Sequence, residues 1–259
     1  VYKRQVPVMA PALGEVLIAV GSWQWVFGIG AVLAAVVGLW SIRLPETLDP
    51  EQRRPLAWVV ISAAFGEVVH SRVTLGYTAA ATFALGAFLP WLGSSQLIFD
   101  EIYGRPDEFA VWFALVACTM AVASLSAAAL VRRLTAVTMV RRSMVVFLVH
   151  SVLFVVVVFA YGGVPPFGVF LLLIIVAVAN LVAVNPSLIS LAMERMGHIA
   201  GTASAVIGTL SYTGGALLAG VVDGAMADSI APLAIGFLVY GTAMLICMLW
   251  AGGGAAADG

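Results

Sequence analysis

Charged side chains are what this sequence has least of: 12 Lys and Arg and 13 Asp and Glu among 259 residues, a tenth of the chain. Soluble domains carry about a quarter, so a water-facing surface of ordinary extent is excluded. The net charge is −1 and no basic stripe stands out, which argues against nucleic acid as a partner. The two cysteines, Cys118 and Cys247, sit inside apolar runs. They have no redox or metal-ligand spacing and read as small buried hydrophobes. His70, His150 and His198 lie in separate regions, without an H-E-x-x-H or nucleophile-elbow pattern. No glycine-rich phosphate cradle leads into a Lys-Ser/Thr pair. Neither an enzyme site, a cofactor, a metal nor an ATP-driven pump is expected. An ion gradient has to supply the energy for any transport.

Apolar residues are abundant instead, at 63% of the chain with a mean hydropathy of +1.09. A bilayer core of about 30 Å takes about 20 helical residues to cross. Runs of that order recur at 6–20, 25–44, 73–97, 109–131, 143–161, 167–191, 201–222 and 233–251. Alternating ten-residue segments of a membrane β-barrel are missing. The expected fold class is an all-α membrane protein with eight transmembrane helices.

One stretch interrupts this pattern. Nine of the thirty residues from 43 to 72 are Arg, Asp, Glu or His, making a polar hinge between two spans and six. Residues 55–72 within it are expected to form an amphipathic helix on the membrane face. Loop charge then orients the spans. Lys3, Arg4, the hinge, Arg132 to Arg142 and Arg195 place eleven of the twelve basic residues on one side. Asp100, Glu101, Asp107, Glu108, Asp223 and Asp228 lie on the other, with Arg105. Basic residues gather on the cytoplasmic side, so the hinge and both ends of the chain are expected there. The start at Val1 rather than Met reads as a fragment missing its N-terminal part, and no signal-peptide cleavage pattern follows it.

Membrane helices associate through small residues, and the seventh run offers two such rows. Ser204 and Gly208 form one, and Ser211, Gly215 and Ala219 the other, suited to packing or to a gating contact. Ionisable and polar groups inside the membrane are functional candidates. Glu15 is the first, because apolar surroundings disfavour a charged carboxylate and make proton exchange available to it. It reads equally as a plain polar liner of a water-filled cavity. His150 reads more as a structural histidine than as a proton relay. Asn180 and Asn185-Pro186 break the sixth run. Asn180 is the better candidate for lining a polar path, while Gln96 is either a path residue or a marker of the membrane boundary.

These residues resemble a known family. A-P-A-L-G (Ala10 to Gly14), G-S-W-Q-W-V-F (Gly21 to Phe27) and L-P-E-T-L (Leu44 to Leu48) resemble helices five and six of major facilitator superfamily drug exporters. Ala10, Pro11 and Gly14 match the antiporter motif. The run from Val184 to Thr209 resembles helices ten and eleven of the bicyclomycin-resistance and chloramphenicol-florfenicol (Bcr/CflA) subfamily. Where the antiporter motif usually has Gly, this chain has Glu15. The loop near Ala136 also lacks the family's glycine.

The resemblance implies helices five to twelve of a twelve-helix fold. Residues 1–49 would close the N-terminal lobe, 50–72 form the central cytoplasmic loop, 73–251 the six-helix C-terminal lobe, and 252–259 a cytoplasmic tail. It implies proton-coupled export of drug-like compounds through the inner membrane by alternating access, by a monomer whose partners are lipid, substrate and protons. The family's coupling carboxylates would lie in helices one to four. The alternatives are a permease for a metabolite or nutrient and a non-transporting truncated membrane protein. Few hydrogen-bonding groups and no intramembrane Lys or Arg in the C-terminal half favour apolar cargo.

Overall fold

The computed structural model describes residues 24–43, 58–131 and 133–255. The chain divides into two units, Val1–Ala57 and Trp58–Gly259. In the first, α1 spans Gln24–Ser41. At 1.5 Å per residue its length is about 27 Å, near the lower limit for crossing a bilayer. The run expected at 6–20 lies outside the described residues.

The second unit begins with α2 (Trp58–His70), followed by α3 (Arg72–Leu97), α4 (Phe109–Val131), α5 (Ala136–Ala160), α6 (Phe167–Met193), α7 (Ala200–Asp223) and α8 (Ala231–Ala255). Among the described residues there is no strand, and α3 to α8 are the six helices long and apolar enough to cross a membrane. A single extended residue, Ser71 (φ −75°, ψ 106°), separates α2 from α3. Its side chain accepts from Thr74 N at 3.3 Å, capping α3. The helix expected at 55–72 is thus α2. It packs on α3 and α7 and carries Glu67, whose Oε1 lies 2.7 Å from His198 Nε2.

Several helix ends differ from the sequence reading. α5 begins at Ala136, seven residues before the expected 143. Thr135 accepts from Thr138 N at 3.3 Å and starts the helix. Arg141 and Arg142 are therefore exposed helix residues rather than loop. Long Arg stems reach water from a helix end, so charge did not mark the boundary. α8 continues to Ala255, four residues past the expected 251 and into the stretch assigned to the tail; glycine is tolerated in membrane helices. α3 loosens into a π-helical turn, Ile98–Ile102, and Pro106–Glu108 forms a 3-10 turn before α4. Cys118 is exposed on α4 rather than buried.

The helices form two repeats of three. α3 packs on α6, α7 and α8; α6 packs on α3, α4 and α5; α5 packs on α8. Exchanging α3 with α6, α4 with α7 and α5 with α8 leaves this pattern unchanged. Because each repeat holds an odd number of spans, the second runs inverted relative to the first, as in the repeats of secondary transporters.

Aromatic and turn contacts fix the bundle. Trp91 on α3 stacks on Phe113 of α4 (centroids 6.0 Å apart, 12° between planes) and lies 6.4 Å from Phe170 of α6. Phe237 of α8 meets Phe147 and Phe154 of α5 at 5.8 and 5.7 Å. Gly163, at φ +102°, turns the chain between α5 and α6. Its carbonyl accepts from Ile230 N at 2.9 Å and from Ser229 Oγ at 3.2 Å, joining that turn to the α7–α8 loop.

Candidate functional site

α3 and α6 are the central pair, and each is interrupted by proline. Pro90 is the nineteenth residue of α3 and Pro186 the twentieth of α6, so the breaks occupy equivalent places in the two repeats. Proline has no N–H for the carbonyl four residues earlier, which leaves Gly86 O and Val182 O without their helical donors. Interrupted helices in corresponding positions of transporter repeats point to the binding region.

A cavity of about 650 Å³ opens there, lined from α3 (Phe88, Leu89, Leu92), α4 (Ser124), α6 (Val182, Asn185, Pro186, Ile189) and α7 (Tyr212). This volume accommodates a drug-sized molecule. No lining residue is charged, and its polar side chains are Ser124, Asn185 and Tyr212. Neither Asn185 nor Tyr212 makes a side-chain hydrogen bond among the described residues, so both are available to a ligand.

The candidates read from sequence are divided by this geometry. Asn185 faces the cavity. Asn180, five residues earlier and so about 140° around the helix, faces α5 instead, where its Oδ1 accepts from Ser143 Oγ at 3.1 Å. His150 lies 2.9 Å by Nε2 from the Leu173 carbonyl and beside Phe154, fastening α5 to α6 outside the cavity. Gln96 is exposed near the end of α3. Ala10, Pro11, Gly14 and Glu15 lie outside the described residues.

The two small-residue rows of α7 also part. Ser211, Gly215 and Ala219 are buried against α3. A Cβ on Gly215 would meet Leu85 Cβ at 2.7 Å. Ser204 is exposed, and a Cβ on Gly208 would meet nothing within 4 Å. One further turn along that open row stands Tyr212, on the cavity wall. Reasoning from sequence passed over Tyr212 and Ser124. The signal for Tyr212 was a lone phenol following two small residues at four-residue spacing.

A family model, that of the Major Facilitator Superfamily, matches residues 6–219. The chain belongs to this superfamily. It is 28% identical over 236 residues to a bicyclomycin resistance protein homolog of Haemophilus influenzae, covering 88% of this chain and 57% of that protein. It is 24% identical to the uncharacterized MFS-type transporter YdgK of Bacillus subtilis, covering 83% and 54%. It is 27% identical over 122 residues to the multidrug resistance protein MdtL of Salmonella heidelberg, covering 47% and 31%. The chain thus spans about half the length of the first two relatives. As a member it is a multi-pass membrane protein, with six helices among the described residues long and apolar enough to cross a membrane.

Proposed function

We propose that this chain supplies helices five to twelve of a proton-coupled exporter of lipophilic, drug-like compounds in the inner membrane. Residues 1–49 end the N-terminal lobe, 50–72 connect the lobes on the cytoplasmic side, and 73–251 form the C-terminal lobe. The observation that carries the cargo class is the uncharged lining of the cavity between α3, α4, α6 and α7. An organic anion or a sugar needs several cationic or hydrogen-bonding groups. Ser124, Asn185 and Tyr212, set among Phe88, Leu89 and Ile189, instead suit an apolar molecule with one or two polar groups. The names of the bicyclomycin and multidrug resistance relatives point the same way.

In this reading the cavity is one lobe's share of a midplane site, and the lobes rock around it. Protonation of one conformation and drug binding to the other bias the exchange. Glu15 is the proposed proton-exchanging group of this chain, acting alongside carboxylates elsewhere in the protein. The basic loop ends are cytoplasmic.

The test is accumulation of chloramphenicol and of a lipophilic dye in cells expressing the full-length transporter, with and without a protonophore. Lower accumulation that the protonophore abolishes is expected. Unchanged accumulation across several drug classes, with expression in the membrane confirmed, would overturn drug export in favour of a metabolite permease.

A further inference from the structure

A second crevice, of about 700 Å³, lies on another side of α6, between α4 and α5. These two helices touch little, and α6 forms the floor between them. Leu130, Val146 and Val176 make the walls apolar, whereas Arg142, Ser143 and Asn180 form a polar group on one flank. Val145, Val149 and Leu153 of α5, and Val122 and Leu125 of α4, are exposed, as expected of surfaces facing hydrocarbon.

Arg142 is the unexplained residue. It is exposed at the crevice and has no ion pair or hydrogen bond among the described residues. No carboxylate lines the crevice. Arg133 and Arg141 add positive charge at the same end of the bundle. A guanidinium set against apolar walls at a membrane boundary calls for an anion, and the bilayer carries phosphate at that depth. Asn180 lies beside it; its carbonyl is taken by Ser143, which leaves the amide N–H groups to donate.

We propose that this crevice seats one anionic diacyl phospholipid. Its phosphate lies on Arg142 with the Asn180 amide beside it, and an acyl chain fills the slot between Val146 and Val176. Basic pockets between membrane helices bind anionic headgroups in this way. A water-soluble anion would match the Arg but not the apolar walls; a zwitterionic lipid would match the walls but meet the Arg with no net charge. The site is separate from the drug cavity and does not depend on the cargo.

The experiment uses the full-length protein purified in zwitterionic detergent and incubated with phosphatidylglycerol or phosphatidylcholine, with retained lipid counted by native mass spectrometry. Wild type is expected to keep one phosphatidylglycerol in preference to phosphatidylcholine. Arg142→Gln is expected to weaken this retention about tenfold, the scale of a charge-assisted hydrogen bond. Arg141→Gln, next to the crevice but not lining it, should change retention less than about twofold on the same scale. Ala179→Leu fills the slot with Arg142 intact and should also release the lipid, while melting temperatures without lipid check that each variant is folded. No preference for phosphatidylglycerol, equal losses in the two arginine variants, or full retention in folded Ala179→Leu would each overturn the site.

Discussion

Gly215 of α7 stands against Leu85 of α3 so closely that a side chain on the glycine has no room. A Cβ there would lie 2.7 Å from Leu85 Cβ and 3.3 Å from Gly86 N. Packing of this kind, rather than hydrophobic burial, holds helices together in lipid. Gly215→Leu is therefore expected to lower stability by about 1–3 kcal/mol, the usual cost of overpacking, and to reduce folded yield. Gly208→Leu places the same side chain on the open row and should leave the melting temperature unchanged. It should still reduce transport, because the leucine stands one turn from Tyr212. Equal melting losses in the two variants would mean that the rows do not differ as described.

Ser94 donates to Asp223 Oδ1 at 2.6 Å, joining α3 to the C-terminal end of α7. Gly93 lets the carboxylate approach: a Cβ there would come within 3.1 Å of Asp223 Oδ2. A negative charge at a helix C-terminus is unfavourable, so the hydroxyl compensates a group that the helix itself disfavours. Ser94→Ala should destabilise by about 1.5–3 kcal/mol, the range for hydrogen bonds to charged groups. In Asp223→Asn, Ser94→Ala should cost less than in wild type. A double-mutant cycle by thermal unfolding reads both, and additive losses would show that the pair does not interact.

The fold class was legible because hydrocarbon demands long apolar helices, and a run such as 167–191 has no other use. Helix ends were less legible. Arg132 to Arg142 looks like a loop by charge, yet Thr135 caps a helix that carries Arg141 and Arg142 on its exposed face. The site was legible only in part. Helical period places Asn180 and Asn185 about 140° apart, but which of them faces the cavity depends on the rotation of α6 against α5, and Ser143 settles that. Likewise, spacing found both small-residue rows of α7, whereas the partner of each row is a tertiary fact.

Glu15 is the one carboxylate in the first apolar run, and the proposed proton coupling needs a group that exchanges protons within the cycle. Glu15→Gln keeps the shape and removes the titration. Export in that variant is expected to lose part of its dependence on pH while drug binding persists. Transport assayed in proteoliposomes across a series of external pH values gives the profile. A profile identical to wild type would remove Glu15 from the coupling mechanism.

The two asparagines of α6 provide the sharpest separation of site from scaffold. Asn185→Leu keeps the branching at Cγ and removes the amide from the cavity wall, so it should raise the substrate concentration needed for half-maximal export and shift preference toward less polar drugs. Tyr212→Phe removes a hydroxyl from the same wall and should act in the same direction with a smaller effect. Asn180→Ala breaks the contact with Ser143 and should cost about 0.6 kcal/mol, the average for hydrogen bonds between membrane helices, with substrate preference unchanged. Dose-response curves against a panel of drugs, read beside melting temperatures, test all three variants. A changed drug profile in Asn180→Ala with none in Asn185→Leu would reverse the assignment and move the translocation path to the α5 side of α6.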